Sequence, residues 1–386
     1  MHVSARAAAA AILYAGSAAG MGFTVFTIGR LRSFARNMGR PQQPFAPALT
    51  VLKPLHGSEP ALYEHLRSFC DQQYAGFRIV FGAADANDPA LEAVRRLQRE
   101  FPALDIVIAA GSPGPARNPK VANLLGMEPH IQGELVVIAD SDICVPRDYL
   151  ARLAPLFADA GTGAATCIFA GIPNASAASR TGAMAITDEF TPSVLAAAAL
   201  GPVDFCMGAT IALRRSVLAE TGGFAAIADA LADDYAIAQA VVRAGHRIAL
   251  APFPVATAVP ERRFAQIWAH EVRWARTILR ARPAGYAGTI VLHYPVLAAA
   301  AGAIAGFPLP ALAWFGAALG IRTWLHFEAQ RIMAPRVGTA AHLLPVRIVL
   351  SFGVWCAAFT GRRVGWRGAH YEVNAKGRLV EGPGAV

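Results

Sequence analysis

Apolar positions in this chain fall into two regimes. Between residues 47 and 282 short apolar runs alternate with amphipathic stretches, whereas residues 7–29 and 283–321 hold no charged side chain. Within the first regime ALTVLKPL (48–55), FRIVFGAA (77–84), LDIVIAA (104–110) and ELVVIAD (134–140) predict strands. PALYEHLRSFCDQ (60–72), PALEAVRRLQREF (89–101) and the stretch 121–127 predict helices between them. This β-α-β-α order predicts one α/β domain over 47–282, a mostly parallel sheet covered by helices.

The second regime predicts membrane helices. Residues 7–29 give 23 uncharged positions, about 34 Å of helix against a hydrocarbon core of about 30 Å. A cleaved signal peptide is the competing reading. Only Arg6 precedes the run, however, while Arg30, Arg32, Arg36 and Arg40 follow it, so a retained anchor with the next domain in the cytoplasm is expected. The 39 uncharged residues of 283–321 are too many for one crossing, and Gly306, Pro308 and Pro310 split them into two expected spans, 287–305 and 309–327, within a segment 283–327. Arg347 interrupts the last apolar stretch, so 328–386 is expected to form a re-entrant or interfacial segment and a basic cytoplasmic tail. The resulting expectation is a multi-pass membrane protein, its α/β domain facing the cytoplasm.

Composition supports this division. Hydrophobic residues make up 55% and charged residues 16% of 386, with a mean hydropathy of +0.38, which excludes a disordered chain. The net charge of +9 does not come from the α/β region: residues 41–282 hold 21 basic and 23 acidic side chains. It comes from the four Arg after the first apolar run and from 322–386, where nine basic residues face three acidic ones. Basic charge beside apolar runs points to anionic lipid headgroups as partner, with no nucleic acid. Five scattered cysteines without C-x-x-C spacing suggest a reducing compartment and no zinc site.

Ligands of open α/β sheets bind at the carboxyl ends of the strands. There the sequence places Lys53 and His56, then Asp85 and Asp88, then Asp140-Ser141-Asp142. Alternate carboxylates at a strand end suit a hard cation, Mg²⁺ or Mn²⁺, facing a diphosphate; a loop pair capping the next helix is the plainer alternative. Asp233 and Asp234 open an amphipathic helix, either as dipole-favoured acids or, for Asp234, as a general base. Lys120 follows Arg117-Asn118-Pro119 near a helix start and could meet phosphate or simply lie in a solvated loop. His270, Arg273 and Trp274 share one helix face, as a phosphate and sugar platform or as an interfacial belt. The position four after His270 is Trp, so the H-E-x-x-H of zinc proteases is absent.

Taken in order, VLKPLHG (51–57), GAADANDPA (82–90), NPKVANL (119–125), IADSDI (138–143), ADDYAIA (232–238) and HEVRW (270–274) resemble the ceramide glucosyltransferase-like family of membrane glycosyltransferases. Within it, VLKPLHGSEP, IADSDICVP, ATIALRR, LADDYA and HEVRWARTILRARPAGYAG look most like glycosyltransferases of hopanoid biosynthesis. The resemblance implies a Rossmann-like GT-A fold and an inverting transfer from a UDP-sugar, with N-acetylglucosamine as the expected sugar and bacteriohopanetetrol as the expected membrane lipid acceptor. It implies Asp85 near the uridine, Asp140 and Asp142 at the metal and diphosphate, and Asp234 as catalytic base. Lys53, Lys120, His270, Arg273 and Trp274 complete the expected donor-binding set. His270 stands where the family has Gln or Arg. Ceramide glucosyltransferases carry a His in the region corresponding to Thr187–Pro192, and this chain has none there, which points away from ceramide. A ceramide or other lipid glucosyltransferase using UDP-glucose is the alternative; a non-catalytic scaffold and a transporter are the readings from other classes.

Overall fold

The computed structural model describes residues 5–40 and 43–360, and the backbone of three short strands at Arg363–Trp366, Ala369–Val373 and Leu379–Val380. Arg362, Arg367, Lys376 and Arg378, expected to face lipid headgroups, lie outside the described residues.

The chain divides into two compact units. One takes in 37–169 and 200–258 and is built on a seven-stranded sheet. Its strands are β1 (Leu49–Leu55), β2 (Phe77–Ala83), β3 (Asp105–Ala110), β4 (Leu135–Ile138), β6 (Thr162–Thr166), β8 (Ile211–Arg214) and β9 (Arg247–Leu250), in the order β3-β2-β1-β4-β8-β6-β9. The first four run parallel, in register Leu49↔Phe77, Leu49↔Leu135 and Arg78↔Asp105. β8 is antiparallel to both β4 and β6, and β9 returns parallel to β6. A short ladder joins β5 (Ile143–Cys144) to β10 (Val255–Val259) at Thr257↔Ile143. Helices α2 (Leu62–Cys70), α3 (Ala90–Glu100), α4 (Pro119–Met127), α5 (Tyr149–Leu153), α8 (Arg215–Glu220) and α9 (Asp233–Arg243) complete this unit.

Continuous apolar runs become the central strands because both faces of the sheet are covered. All seven residues of β1 are buried, and Leu52, Val80, Val136 and Ile138 share one core with Val121, Leu124 and Met127 of α4. Two glycines mark close approaches. A Cβ on Gly82 would lie 2.3 Å from Met127 Sδ, so α4 can pack directly on β2. Gly133 turns the chain into β4 at φ +82°, and a Cβ there would meet Ala48 O at 2.3 Å.

The other unit gathers 5–36, 170–199 and 259–360. It holds α1 (Ala5–Asn37), α6 (Ala177–Met184), a π-helical turn (Ala185–Phe190), α7 (Thr191–Leu200), α10 (Phe264–Ala281), α11 (Pro283–Gly288), α12 (Tyr294–Ala305), α13 (Leu309–Met333) and α14 (Leu344–Ala358), with β7 (Phe169–Pro173) at its entry. The expected single domain over 47–282 is therefore divided, because 170–199 and 259–282 cluster with the apolar helices. α1 seats small residues against the start of α12 and the turn before it: Ser17 Oγ donates to Tyr294 O at 3.1 Å, and a Cβ on Gly20 would overlap Val291 O.

Among the described residues three stretches are long and apolar enough to cross a membrane: Ala5–Asn37, Pro283–Ala305 and Ala341–Ala358. The first two coincide with expected spans. The third differs from the expectation of a span over 309–327 and a re-entrant or interfacial segment within 328–386. α13 instead buries a polar stripe, Arg322, His326 and Gln330, one turn apart. His326 Nδ1 bonds Asp188 Oδ2 at 2.6 Å, Gln330 Nε2 donates to Asp188 Oδ1 at 3.0 Å, and Arg322 pairs with Glu189 at 2.8 Å. Both acids come from the π-helical turn, whose wider winding carries them into this cluster.

Replacing Gly133 by Ala combines a left-handed backbone with a clash against Ala48 O, a cost of about 1–3 kcal/mol. Purified Gly133→Ala protein is expected to unfold about 2 °C or more below the parent in a thermal melt. An unchanged midpoint would show that this turn relaxes freely.

Candidate active site

The site grows from the carboxyl ends of β1, β2 and β4. β4 ends at Ile138 and the chain turns through Asp140-Ser141-Asp142. Three contacts hold this turn from below. Lys53, the fifth residue of β1, is fully buried, donates its ammonium to Asp140 O and lies 3.9 Å from the Phe69 ring centroid. Ser141 Oγ donates to Glu59 Oε2 at 2.8 Å, and Thr257 Oγ1 donates to Asp142 Oδ2 at 2.8 Å. Burial lowers the Lys53 amine to about 7 against the opposing pull of Asp142, Asp140 and Glu59. Lys53 was expected to bind the donor. Its position corrects that expectation: the ammonium is spent on the backbone of the D-x-D turn, beneath the surface.

Lys120 arrives from the second side. Asn118 caps α4, accepting from Lys120 N at 2.9 Å and Val121 N at 3.3 Å, with Pro119 pre-set as the first helical residue. Asn118 also donates from Nδ2 to Ala230 O at 2.8 Å and from its backbone N to Ala228 O at 3.1 Å. The start of α4 is thus tied to the loop that leads into α9, and Asn123 ties α4 to the strand ends, donating to Gly82 O at 2.9 Å and Leu55 O at 3.2 Å. The reading of this stretch as a solvated loop is excluded: Asn118 is fully buried.

This scaffold places Lys120 Nζ 2.7 Å from Asp140 Oδ1 and 2.8 Å from Asp233 Oδ2. Burial acts to lower the Lys120 amine, and the two carboxylates outweigh it, holding the ammonium charged. Asp234 follows on the first turn of α9 and accepts from Tyr235 N at 2.7 Å. Burial, then the charge of Asp233, raises its carboxyl to about 7, with Lys120 opposing. Burial and then Asp140 raise Asp142 to about 6, with Thr257 opposing. Gly208, before β8, leaves room for the cluster, since a Cβ there would lie 2.5 Å from Asp140 Oδ2.

Asp142, raised by burial and by the charge of Asp140 beside it, is a carboxylate whose ionised form a divalent cation would favour. Among the described residues no group of three His, Cys, Asp or Glu side chains could hold a metal by itself. Asp140 and Asp142 are the residues that would hold Mg²⁺ or Mn²⁺, with substrate phosphates completing the shell.

Asp85 lies exposed just beyond β2, its Oδ1 accepting from Asn87 N at 2.8 Å. Asp88 is structural: it caps α3 through Ala90 N and accepts from Gly57 N at 2.9 Å. His270, Arg273 and Trp274 lie on α10 in the other unit. His270 Nδ1 bonds Glu261 Oε1 at 2.5 Å, its ring meets Trp274 edge-on at 4.6 Å, and its buried Nε2 has no hydrogen-bond partner among the described residues. A carboxylate on Nδ1 fixes the ring's orientation and leaves Nε2 for a ligand. Glu59, Gly208 and Thr257 escape sequence reasoning as residues that shape this cluster, and in the other unit so does Glu261 beside His270. Asp233, beside Asp234, carries a local signal.

A family model described as glycosyl transferase family 21 matches residues 12–379. Ceramide glucosyltransferase 1 of Caenorhabditis elegans is 29% identical over 217 residues, 55% of this chain and 45% of that protein. An N-acetylglucosaminyltransferase of Bradyrhizobium diazoefficiens is 26% identical over 260 residues, 65% of this chain and 52% of that protein. The chain thus spans about half the length of these relatives. Among solved structures, the mannosyltransferase PcManGT from Pyrobaculum calidifontis, in complex with GDP-Man and Mn²⁺, aligns with a TM-score of 0.53 and 22% identity over 91% of this chain and 93% of that one. That likeness, with the sheet order, gives the GT-A glycosyltransferase fold. The strand-end carboxylates and the match over nearly the whole length agree, and the chain belongs to glycosyl transferase family 21.

Proposed function

We propose that this protein is an inverting glycosyltransferase that moves a sugar, N-acetylglucosamine, from a UDP-sugar to a hydroxyl of a membrane hopanoid lipid, bacteriohopanetetrol, at the cytoplasmic face of a bacterial inner membrane. One observation carries the reading: Asp140, Asp233 and Asp234 gather around Lys120, with Asp142 beside Asp140, at the sheet edge where this fold class binds ligands. The family supports a glycosyl donor, and the neighbour's GDP-Man and Mn²⁺ support a nucleotide sugar with a divalent cation. The N-acetylglucosaminyltransferase relative supports the sugar. Arg30, Arg32, Arg36 and Arg40 after the first apolar run support the cytoplasmic side and an anionic lipid surface.

In this reading Asp234 accepts the proton of the attacking hydroxyl, which then displaces the nucleoside diphosphate from the anomeric carbon in one inverting step. A single base suffices, and no carboxylate nucleophile is required. Asp140 and Asp142 would hold a divalent cation, which when bound would supply charge neutralisation for the leaving diphosphate. Lys53 holds the D-x-D turn in place, Lys120 offers its ammonium to the diphosphate, and Asp85 is assigned to the uridine. Arg273 and His270 are assigned to phosphate oxygens, and Trp274 to the flat face of sugar or acceptor.

The ceramide glucosyltransferase relative favours a second reading, transfer of glucose from UDP-glucose to ceramide. Mass spectrometry of lipids formed with Mg²⁺, UDP-N-acetylglucosamine or UDP-glucose, and bacteriohopanetetrol or ceramide separates the two. A hexosamine-bearing hopanoid is expected; a glucosylated ceramide would replace the first reading by the second.

Asp234→Asn is expected to lower kcat about 10²–10⁴-fold while UDP-sugar binding by calorimetry stays within a few-fold. Retained turnover would remove Asp234 as the base. The base must be ionised, and its carboxyl is raised to about 7. The rate is therefore expected to fall as pH drops through about 7. Asp233→Asn removes a neighbouring negative charge and should move that limb to lower pH; a limb unmoved by this change would place the titrating group elsewhere.

A further inference from the structure

Arg347 reads in the sequence as a defect in an apolar stretch, and its position in the fold gives it a task. Its side chain is 1% exposed on α14, in a stretch otherwise apolar enough to cross a membrane. Its guanidinium forks onto one carboxylate, Nη1 to Glu271 Oε1 at 2.6 Å and Nη2 to Glu271 Oε2 at 2.7 Å. Glu271 is the second residue of HEVRW, between His270 and the Arg273–Trp274 pair on α10. Arg347 Nη1 also donates to Thr181 O at 3.3 Å, and its Nε lies 3.3 Å from Glu189 Oε1. Glu189 is itself held by Arg322 at 2.8 Å and by Ser351 Oγ at 3.0 Å.

A second, independent contact brings the same two helices together. A Cβ on Gly353 would lie 3.0 Å from Trp268 Cζ3, so α14 and α10 meet there without room for a side chain. Val272, Ala275, Val354 and Ala358 continue the seam with Tyr286. Apolar contacts of this kind set the distance between two helices but leave rotation about the helix axis loosely defined. A planar two-point fork fixes that rotation. Side chains of α10 stand about 6 Å from its axis, so a roll of about 10° would move them by about 1 Å. Displacements of that size can cost about 10²-fold in rate.

We infer that Arg347 is a positioning residue, setting the roll of α10 through Glu271 and thereby the placement of His270, Arg273 and Trp274. The inference rests on the proposed participation of that segment in glycosyl transfer. It also accounts for a charge in so apolar a stretch. A packing role alone would be served as well by apolar side chains, since replacing both members of a buried ion pair is often neutral for stability.

The test uses full-length protein in phosphatidylglycerol-containing nanodiscs, with two readouts. Arg347→Lys keeps the charge and loses the fork. It is expected to lower kcat about tenfold with KM for the UDP-sugar within about twofold, and to speed amide exchange in peptides covering 264–281. Glu271→Met/Arg347→Met removes both charges and is expected to keep the parent melting temperature while kcat stays at least about tenfold down. Parent-like kcat and exchange in Arg347→Lys would overturn the inference, as would full kcat in the double variant, which would reduce the pair to packing. If the parent transfers no sugar to any lipid offered, the functional reading fails by itself. Amide exchange of α10 then still decides whether Arg347 holds it.

Discussion

Charge balance at one edge of the sheet is the constraint on which the α/β unit depends. Burial and the charge of a neighbouring carboxylate, Asp140 for one and Asp233 for the other, push Asp142 and Asp234 toward their neutral forms. Lys120 answers those two neighbours directly, and Lys53 answers the Asp140 carbonyl, from a position with no access to solvent. Strongly shifted carboxylates gathered at the edge of a sheet are a mark of functional sites. The Asn118 cap, the Gly208 clearance and the Thr257 hydroxyl are consequences of holding that cluster in one geometry.

The helical unit solves a related problem with different means. Its polar groups are paired inside it, through Asp188 with His326 and Gln330, Glu189 with Arg322, and Glu271 with Arg347. An unpaired charge among such apolar helices would be costly, and a paired one gives fixed geometry in exchange. The π-helical turn at Ala185–Phe190 is where two of these acids enter, so an irregularity in winding serves to place side chains. The segment DEFTPS holds no His, yet His326 from α13 stands against its Asp188.

Legibility differed between the two kinds of information. Strands β1 to β4 and helices α2 to α4 match their apolar runs to within about two residues, because local periodicity and two-sided burial act in the same direction there. The antiparallel strand β8, between β4 and β6, carries no such signal; its place is a matter of long-range pairing. Arg347 misdirects a count of apolar residues, because the counter-charge that buries it lies 76 residues away. Lys53 misdirects a search for ligand-binding groups in the same way, since the terminus of a strand looks identical whether its lysine points out or under the next turn.

By itself the sequence determined the α/β class, the apolar segments and the family, and singled out Asp234, Asp140 and Asp142 as candidates, because these follow from period, composition and short motifs. Only the tertiary structure decided which charges neutralise one another. That choice made Lys120 the bridge between Asp140 and Asp233, Lys53 a buried prop and Arg347 the partner of Glu271. The physical reason is range: periodicity and motifs are written within a few residues, whereas the partner of a buried charge is fixed by how distant segments pack.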